Sequence, residues 1–304
     1  MKRLLSYSVV MFVITIILLL IIPLPAGLVD VAIILNMSLS MMILVITMTI
    51  REPLEFSIFP SLLLITTLFR LGINVSTTRN ILSQGGSSGR VIAAFGDFVL
   101  RGNVVVGLII FLIIVLMQFI VITKGAERVA EVAARFNLDA MPGKQMAIDS
   151  DLNTGAITDK EAAERRKKLQ QENSFFGSMD GATKYVKGDA TAGLIITGIN
   201  LIGGIVMGMA YGGLTINDAL SKYTILTIGD GLCSQIPSLL ISLATGVLVT
   251  KASSEGELGD EIIGQLFSMD RVLLMVGAAL ILLGVTTPLP WLSLIHISEP
   301  TRLQ

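Results

Sequence analysis

From Leu4 to Ile22 the chain carries no charged side chain. Comparable uncharged, apolar runs return at Val31 to Ile50, Gly102 to Thr123, Ala190 to Asn217 and Val272 to Thr287, and Tyr223 to Thr250 differs only by the single acid Asp230. A helix advances about 1.5 Å per residue, so about 20 such residues cross the roughly 30 Å hydrocarbon core of a bilayer. A shorter run, Phe56 to Phe69, contains Pro60 and is closed by Arg70. Seven spans are therefore visible, and the expected fold is an all-α polytopic membrane domain. Composition agrees: 53% of the side chains are hydrophobic and only 15% charged, well below the charge content of soluble domains.

The sparse polar chemistry excludes several functions. With 22 basic and 23 acidic residues the net charge is −1, which gives no overall attraction to nucleic-acid phosphates. One cysteine, Cys233, and one histidine, His296, cannot build a disulfide framework, a histidine-rich metal site or a Cys/His catalytic pair. No glycine-rich Lys-Ser/Thr phosphate loop is present. The stretch beginning Asp149-Ser-Asp imitates half of a calcium loop. Thr154 and Lys160 then occupy the positions that need a glycine and a bidentate glutamate. We expect no enzyme activity, metal or cofactor.

Residues 124 to 189 break the pattern, with 11 basic and 11 acidic side chains. Four spans (1–123) should place this insert on the same side as Lys2 and Arg3, the cytoplasm by the positive-inside tendency, and three more spans follow in 190–292. Within the insert, Ala126, Val129, Ala130 and Ala133 recur at helical spacing before a turn expected at Pro142-Gly143. Thr158 and Glu161 form a capping-box pattern that opens a second helix. The four arginines between Arg70 and Arg101 face the wrong side by this count. Either the third span is not a simple crossing, or, the favoured reading, they are buried against other helices in a polar interior shared with Thr77, Thr78 and Asn80.

The few charges near the spans are the candidate functional residues. Asp230, between Gly229 and Gly231, stands where a bare charge costs about 2.5 to 3.5 kcal/mol. It is either an ionisable site on a hydrated path or the partner of an arginine such as Arg79 or Arg101. Asp189 and Lys184 precede the fifth span and fit the mouth of an ion path, or ordinary anchoring by Lys184, Tyr185 and Lys187. Arg128 and Arg135, seven apart, share a helix face near Asp139, and such a face either meets a neighbouring subunit or is simply solvated. Gly204, Gly208 and Gly212 form a side-chain-free stripe suited to close helix packing.

Three longer stretches add a resemblance. They are Phe59 to Arg79 with its core Thr-Thr-Leu-Phe-Arg-Leu-Gly-Ile-Asn-Val-Ser, Ile122 to Arg128 with Asn137 to Asp149, and Met179-Asp-Gly-Ala-Thr-Lys184 running to Asp189. Over residues 1 to 292 the chain resembles the FlhA/InvA/LcrD (FHIPEP) export-gate family of type III secretion, and Thr227 to Pro237 with Ser253 to Leu266 look nearer its flagellar branch. The resemblance implies a bacterial inner-membrane protein that assembles as a ring, usually of nine copies, beside other membrane gate proteins. It also implies coupling of the proton motive force to export of unfolded substrates. The family's important charges fall on Arg79, Arg128, Arg135, Asp139, Lys184, Asp189 and Asp230.

Family members add an eighth span and a large cytoplasmic domain that docks chaperones and substrates. Residues 293–304 do not resemble the family and are expected to be a non-native tail, so His296 is expected to have no role. The rivals to proton coupling are a passive ring scaffold held by structural ion pairs and a secondary transporter. The latter expects related halves that this chain does not display.

Overall fold

The computed structural model describes residues 2–22, 24–83, 88–100, 104–251 and 258–286, and among these every regular element is helical. Arg101 and the segment 287–304, including His296, lie outside the described residues. Ten α-helices follow in chain order: α1 (Lys2–Ile21), α2 (Ala26–Thr49), α3 (Phe59–Ser83), α4 (Arg90–Leu100), α5 (Val104–Met117), α6 (Lys124–Asn153), α7 (Asp159–Ala210), α8 (Ile216–Thr250), α9 (Leu258–Phe267) and α10 (Asp270–Thr286). A single 3₁₀ turn, Pro53–Phe56, precedes α3, and a π-helical segment, Gln118–Thr123, joins α5 to α6. The chain divides into two compact units, Met1–Ser253 and Ser254–Gln304.

Five helical stretches among the described residues are long and apolar enough to cross a bilayer: Ala26–Thr49, Phe59–Ser83, Val104–Asn153, Asp159–Ala210 and Ile216–Thr250. Seven spans are not reached by this measure, because α10 has 17 residues and the apolar part of α1 is only Val10–Ile21. Large apolar side chains point outward along α2 and α5, including Leu28, Val31, Ile34, Met41, Val45, Ile109, Leu112 and Ile113. Such a belt belongs against acyl chains.

The insert is not a separate pair of helices hung on loops. The helix-forming pattern that begins in the fourth span runs through the π segment into α6, and α7 continues unbroken from its cap into the fifth apolar run. Pro142 does not end α6, contrary to the expected turn. The carbonyl that loses its helical donor is that of Leu138, an exposed residue, so water can take the donor's place. The capping box is formed as the sequence suggests: Thr158 accepts from the Glu161 amide at 3.3 Å, and Glu161 accepts from the Thr158 amide at 2.8 Å. The acids of the false calcium loop pair with α7 instead, Asp149 with Arg166 at 2.5 Å and Asp151 with Arg165 at 3.1 Å.

Helix α4 has no counterpart in the hydropathy reading. Its first turn is held by α2, where the Asp30 carboxylate accepts from the Arg90 and Val91 amides at 2.9 and 3.0 Å. An acid at a helix N-terminus satisfies orphan amides and complements the dipole. Along its length α4 lies backbone to backbone on α8. A side chain at Gly229 would run into the Ile92 carbonyl, and one at Gly96 into the Ile225 carbonyl. Between α7 and α8 the chain reverses through Gly213, whose φ of +60° suits glycine.

Candidate functional site

Helix α3 has an apolar composition but turns a polar edge inward. Thr66, Thr67, Arg70, Asn74, Ser76, Thr77 and Asn80 are all buried. Part of that edge fixes the connection between α1 and α2: the Leu24 amide donates to Ser76 at 3.2 Å, and Asn80 donates to the Leu24 carbonyl at 2.9 Å. The remainder faces α7 and α8.

The first focus lies halfway along α3. The Arg70 guanidinium donates through Nε and one terminal nitrogen to Oδ2 of Asp189 on α7, and both side chains are buried. The other oxygen, Oδ1, and the other terminal nitrogen have no partner among the described residues. Beside the pair is a cavity of about 30 Å³ lined also by Asn74, Gln118, Ser234, Gln235 and Ser238. Gln235 Oε1 and Ser238 Oγ are likewise buried without a partner. A space of this size with several convergent polar atoms accepts water, since one molecule needs about 10–15 Å³. Gln118 opens the π-helical segment and donates across to the Gln235 carbonyl at 2.7 Å. Local π geometry thus turns one amide into the polar interior of an otherwise apolar span.

The second focus is Asp230 on α8. Asn200 of α7 donates to its Oδ2 at 2.9 Å, and the Thr77 side chain of α3 lies nearby. Among the described residues no basic side chain pairs with Asp230. Thr77 donates to the Asn74 carbonyl at 3.0 Å, and Asn74 lines the Arg70–Asp189 cavity. The two acids therefore belong to one polar seam formed by α3, α7 and α8. Gly229 and Gly231 permit it: the first is pressed on α4, and a side chain at the second would meet the Phe111 ring at 2.6 Å.

The other sequence candidates do not converge there. Arg79 is exposed and donates to the Ile21 carbonyl at 3.0 Å, so it is not the counter-charge of Asp230. It lies two residues beyond Thr77 and so points away from the seam. Of the arginines expected to be buried, Arg70 is the only one that is so among the described residues, whereas Arg79 and Arg90 are exposed and Arg101 lies outside the described residues. Lys184 pairs with Asp180 one turn back at 2.7 Å, and Arg128 pairs with Glu131 at 2.8 Å, both on exposed faces. Arg135 and Asp139 are exposed on α6.

Gly204 and Gly208 form the expected packing stripe, as both seat the ring of Tyr223. Gly212 does not share it, because α7 ends at Ala210 and Gly212 lies in the following turn, where its amide donates to the Met207 carbonyl at 3.2 Å.

The seam residues absent from the sequence reading are Arg70 as the partner of Asp189, and Asn74, Asn200, Gln118 and Gln235. Helical spacing held a signal for two of them. Asn200 is three turns from Asp189, and Asn74 is one turn from Arg70, so each pair shares a face.

The FHIPEP family model matches residues 16–301. The chain is 58% identical over 282 residues to the flagellar biosynthesis protein FlhA of Bacillus subtilis, covering 93% of this chain and 42% of that protein. It is 53% identical over 243 residues to the low calcium response locus protein D of Yersinia pestis (79% and 34%) and 50% identical over 291 residues to the harpin secretion protein HrpI of Erwinia amylovora (94% and 41%). The chain thus spans about two-fifths of the length of such relatives. No solved structure matches. A buried polar seam of two acids inside a bundle of membrane-length helices, and a match over nearly the whole sequence, lead to one conclusion: the chain belongs to the FHIPEP family.

Proposed function

We propose that the chain is a multi-pass inner-membrane component of the bacterial flagellar type III export apparatus, and that Asp230 and Asp189 couple proton movement to export of unfolded substrates. It works as a ring of copies, nine in this reading, beside other membrane gate proteins. Substrates and chaperones are engaged through a cytoplasmic domain outside this sequence. The flagellar assignment leans on the FlhA relatives, although the Yersinia protein is comparably similar.

One observation carries the proton reading. Asp230 is buried in a seam that also holds Asp189, yet its hydrogen-bond partner among the described residues is the Asn200 amide rather than a cation. A carboxyl so placed can gain or lose a proton without stranding an arginine. Its hydrogen bond to α7 then changes with its charge, which biases how the helices of the seam sit together. One charge crossing 100 mV supplies about 2.3 kcal/mol, so a few protons suffice for a conformational step of several kcal/mol. In the assembled apparatus, Asp230→Asn is expected to abolish export while the protein still accumulates in the membrane. Normal export in that variant would end the proposal.

A scaffold role is favoured by a different observation, the buried Arg70–Asp189 pair, which by itself only locks α3 to α7. Exchanging the two residues separates the readings. Export restored by Arg70→Asp with Asp189→Arg would favour the scaffold.

A further inference from the structure

Helices α6 and α7 carry three ion pairs on one face: Arg128–Glu131, Asp180–Lys184 and Glu127–Lys187, the last at 2.9 Å. Lys184 also lies within the field of Glu131 and Glu127, so the six form one cluster of balanced charge. Charge alone assigns this face to water outside the bilayer. Its depth does not.

Ala130, Ala134, Met179, Ala182 and Val186, which flank these charges, pack in one core with Ile43 and Leu44 of α2 and Leu248 of α8. Ile43 lies six residues before the end of a membrane-length helix, about 9 Å inside it at 1.5 Å per residue. At that same level α2 presents exposed Met41, Met42 and Val45, and α8 presents exposed Leu243, as a lipid-facing surface does. Lys251, just past the end of α8, donates to the Met48 carbonyl near the end of α2, so Ser242 and Thr245, which border Glu127 and Lys187, stand about two turns inside that end, and the Glu127–Lys187 pair sits level with side chains that belong in acyl chains. Lysine and arginine stems can snorkel from there, but the glutamates lack the reach. A face with equal numbers of both signs also offers nothing to an anionic headgroup.

We propose that this face is sheltered from lipid and walls a water-filled passage, open at the α6–α7 end of the bundle, that is plugged by the Glu127–Lys187 pair just short of the Arg70–Asp189 cavity. The plug has its own geometry. Glu127 and Lys187 border a void of only about 10 Å³ with Thr183, Ser242 and Thr245, at the lower limit for one water. One turn further along α8 from Ser242, Ser238 lines the larger Arg70–Asp189 cavity. Three helices therefore carry polar groups in step from the charged face to the buried acid, with the narrowest point at the ion pair. Parting Glu127 from Lys187 joins the two spaces. This deepens the proton reading, on which it rests only for what moves through the passage.

Single cysteines in a Cys233→Ala background, probed with a charged, membrane-impermeant thiol reagent on the assembled protein, test it. Lys184→Cys and Glu131→Cys are expected to react as fast as the aqueous reference Lys160→Cys. The lipid-level reference Met42→Cys should be more than about tenfold slower, because a thiol in apolar surroundings stays protonated. Slow reaction at 184 and 131, whether from lipid or from a covering copy of the chain, overturns the passage. Ser238→Cys should react slowly, then about tenfold faster when Glu127→Gln or Lys187→Gln removes the plug, and slowly again in the Glu127→Lys, Lys187→Glu exchange. No acceleration in either neutral variant overturns the plug. Because labelling does not require export, an Asp230→Asn variant that exports normally would remove the proton reading and leave the passage standing.

Discussion

Asp189 and Asp230 lie in one seam of α3, α7 and α8, yet they are solvated in opposite ways. Asp189 is met by the charged fork of Arg70, and Asp230 by the neutral amide of Asn200. A buried charge with a cation is a fixture: removing either partner strands the other. A buried acid among neutral donors is adjustable, since its partners are satisfied with or without its charge. Position in the seam is therefore not what distinguishes a lock from a switch. The partner does.

The largest expected effect tests the lock. Arg70→Ala leaves Asp189 buried and unpaired and should cost about 3–5 kcal/mol, read by thermal unfolding in detergent. Adding Asp189→Ala should recover much of that loss. If the double variant is no better than the single, the pair is not the lock.

Next comes the packing that encloses the switch. Gly229→Ala must push α4 off α8 at the Ile92 carbonyl and should cost about 1–3 kcal/mol, whereas Gly246→Ala enters open space and should be tolerated. Equal behaviour would mean that α4 is not seated on α8 as described.

Smaller still is the switch itself. Asp230→Asn keeps the shape and one hydrogen bond, so it should cost only about 1 kcal/mol, against several for Asp189→Asn, which strands Arg70. Comparable losses would erase the contrast between the two acids.

The smallest effect sharpens the comparison from outside. Glu161 is exposed, and the Thr158 amide and hydroxyl hold its carboxyl below the ordinary 4.5. A lowered folded value stabilises above the unfolded one and is lost as pH falls through the folded value. The start of α7 should thus fray only in acid below about pH 4.5; Thr158→Ala, which keeps the amide, should weaken that dependence and Glu161→Gln should remove it, read by amide exchange. Any pH response nearer neutrality then belongs to other groups.

Much of this was legible in the sequence, for reasons that also mark where it failed. Uncharged runs announce spans, and Thr158 with Glu161 announces a cap, because both signals are local. Arg70 was visible only as the end of a short span, since hydropathy treats a charge as a boundary. Yet α3 continues to Ser83 with Arg70 at its middle, because Asp189 from a distant part of the chain meets it. Asn200 is silent for the opposite reason: a neutral amide hardly lowers the hydropathy of the run around it. Arg79 was chosen as a counter-charge by residue type, but its direction on α3 sends it to the Ile21 carbonyl. Helix α4 is too short and too amphipathic to register as a span, and its position depends on Asp30, 60 residues earlier. Residue types were readable. Pairings across helices were not.

Proton flux measured in liposomes bearing the assembled protein under an imposed pH gradient tests the central claim most directly. The account predicts that flux falls to background in Asp230→Asn, although the variant is nearly as stable as the parent. Undiminished flux with that single carboxyl removed would contradict it.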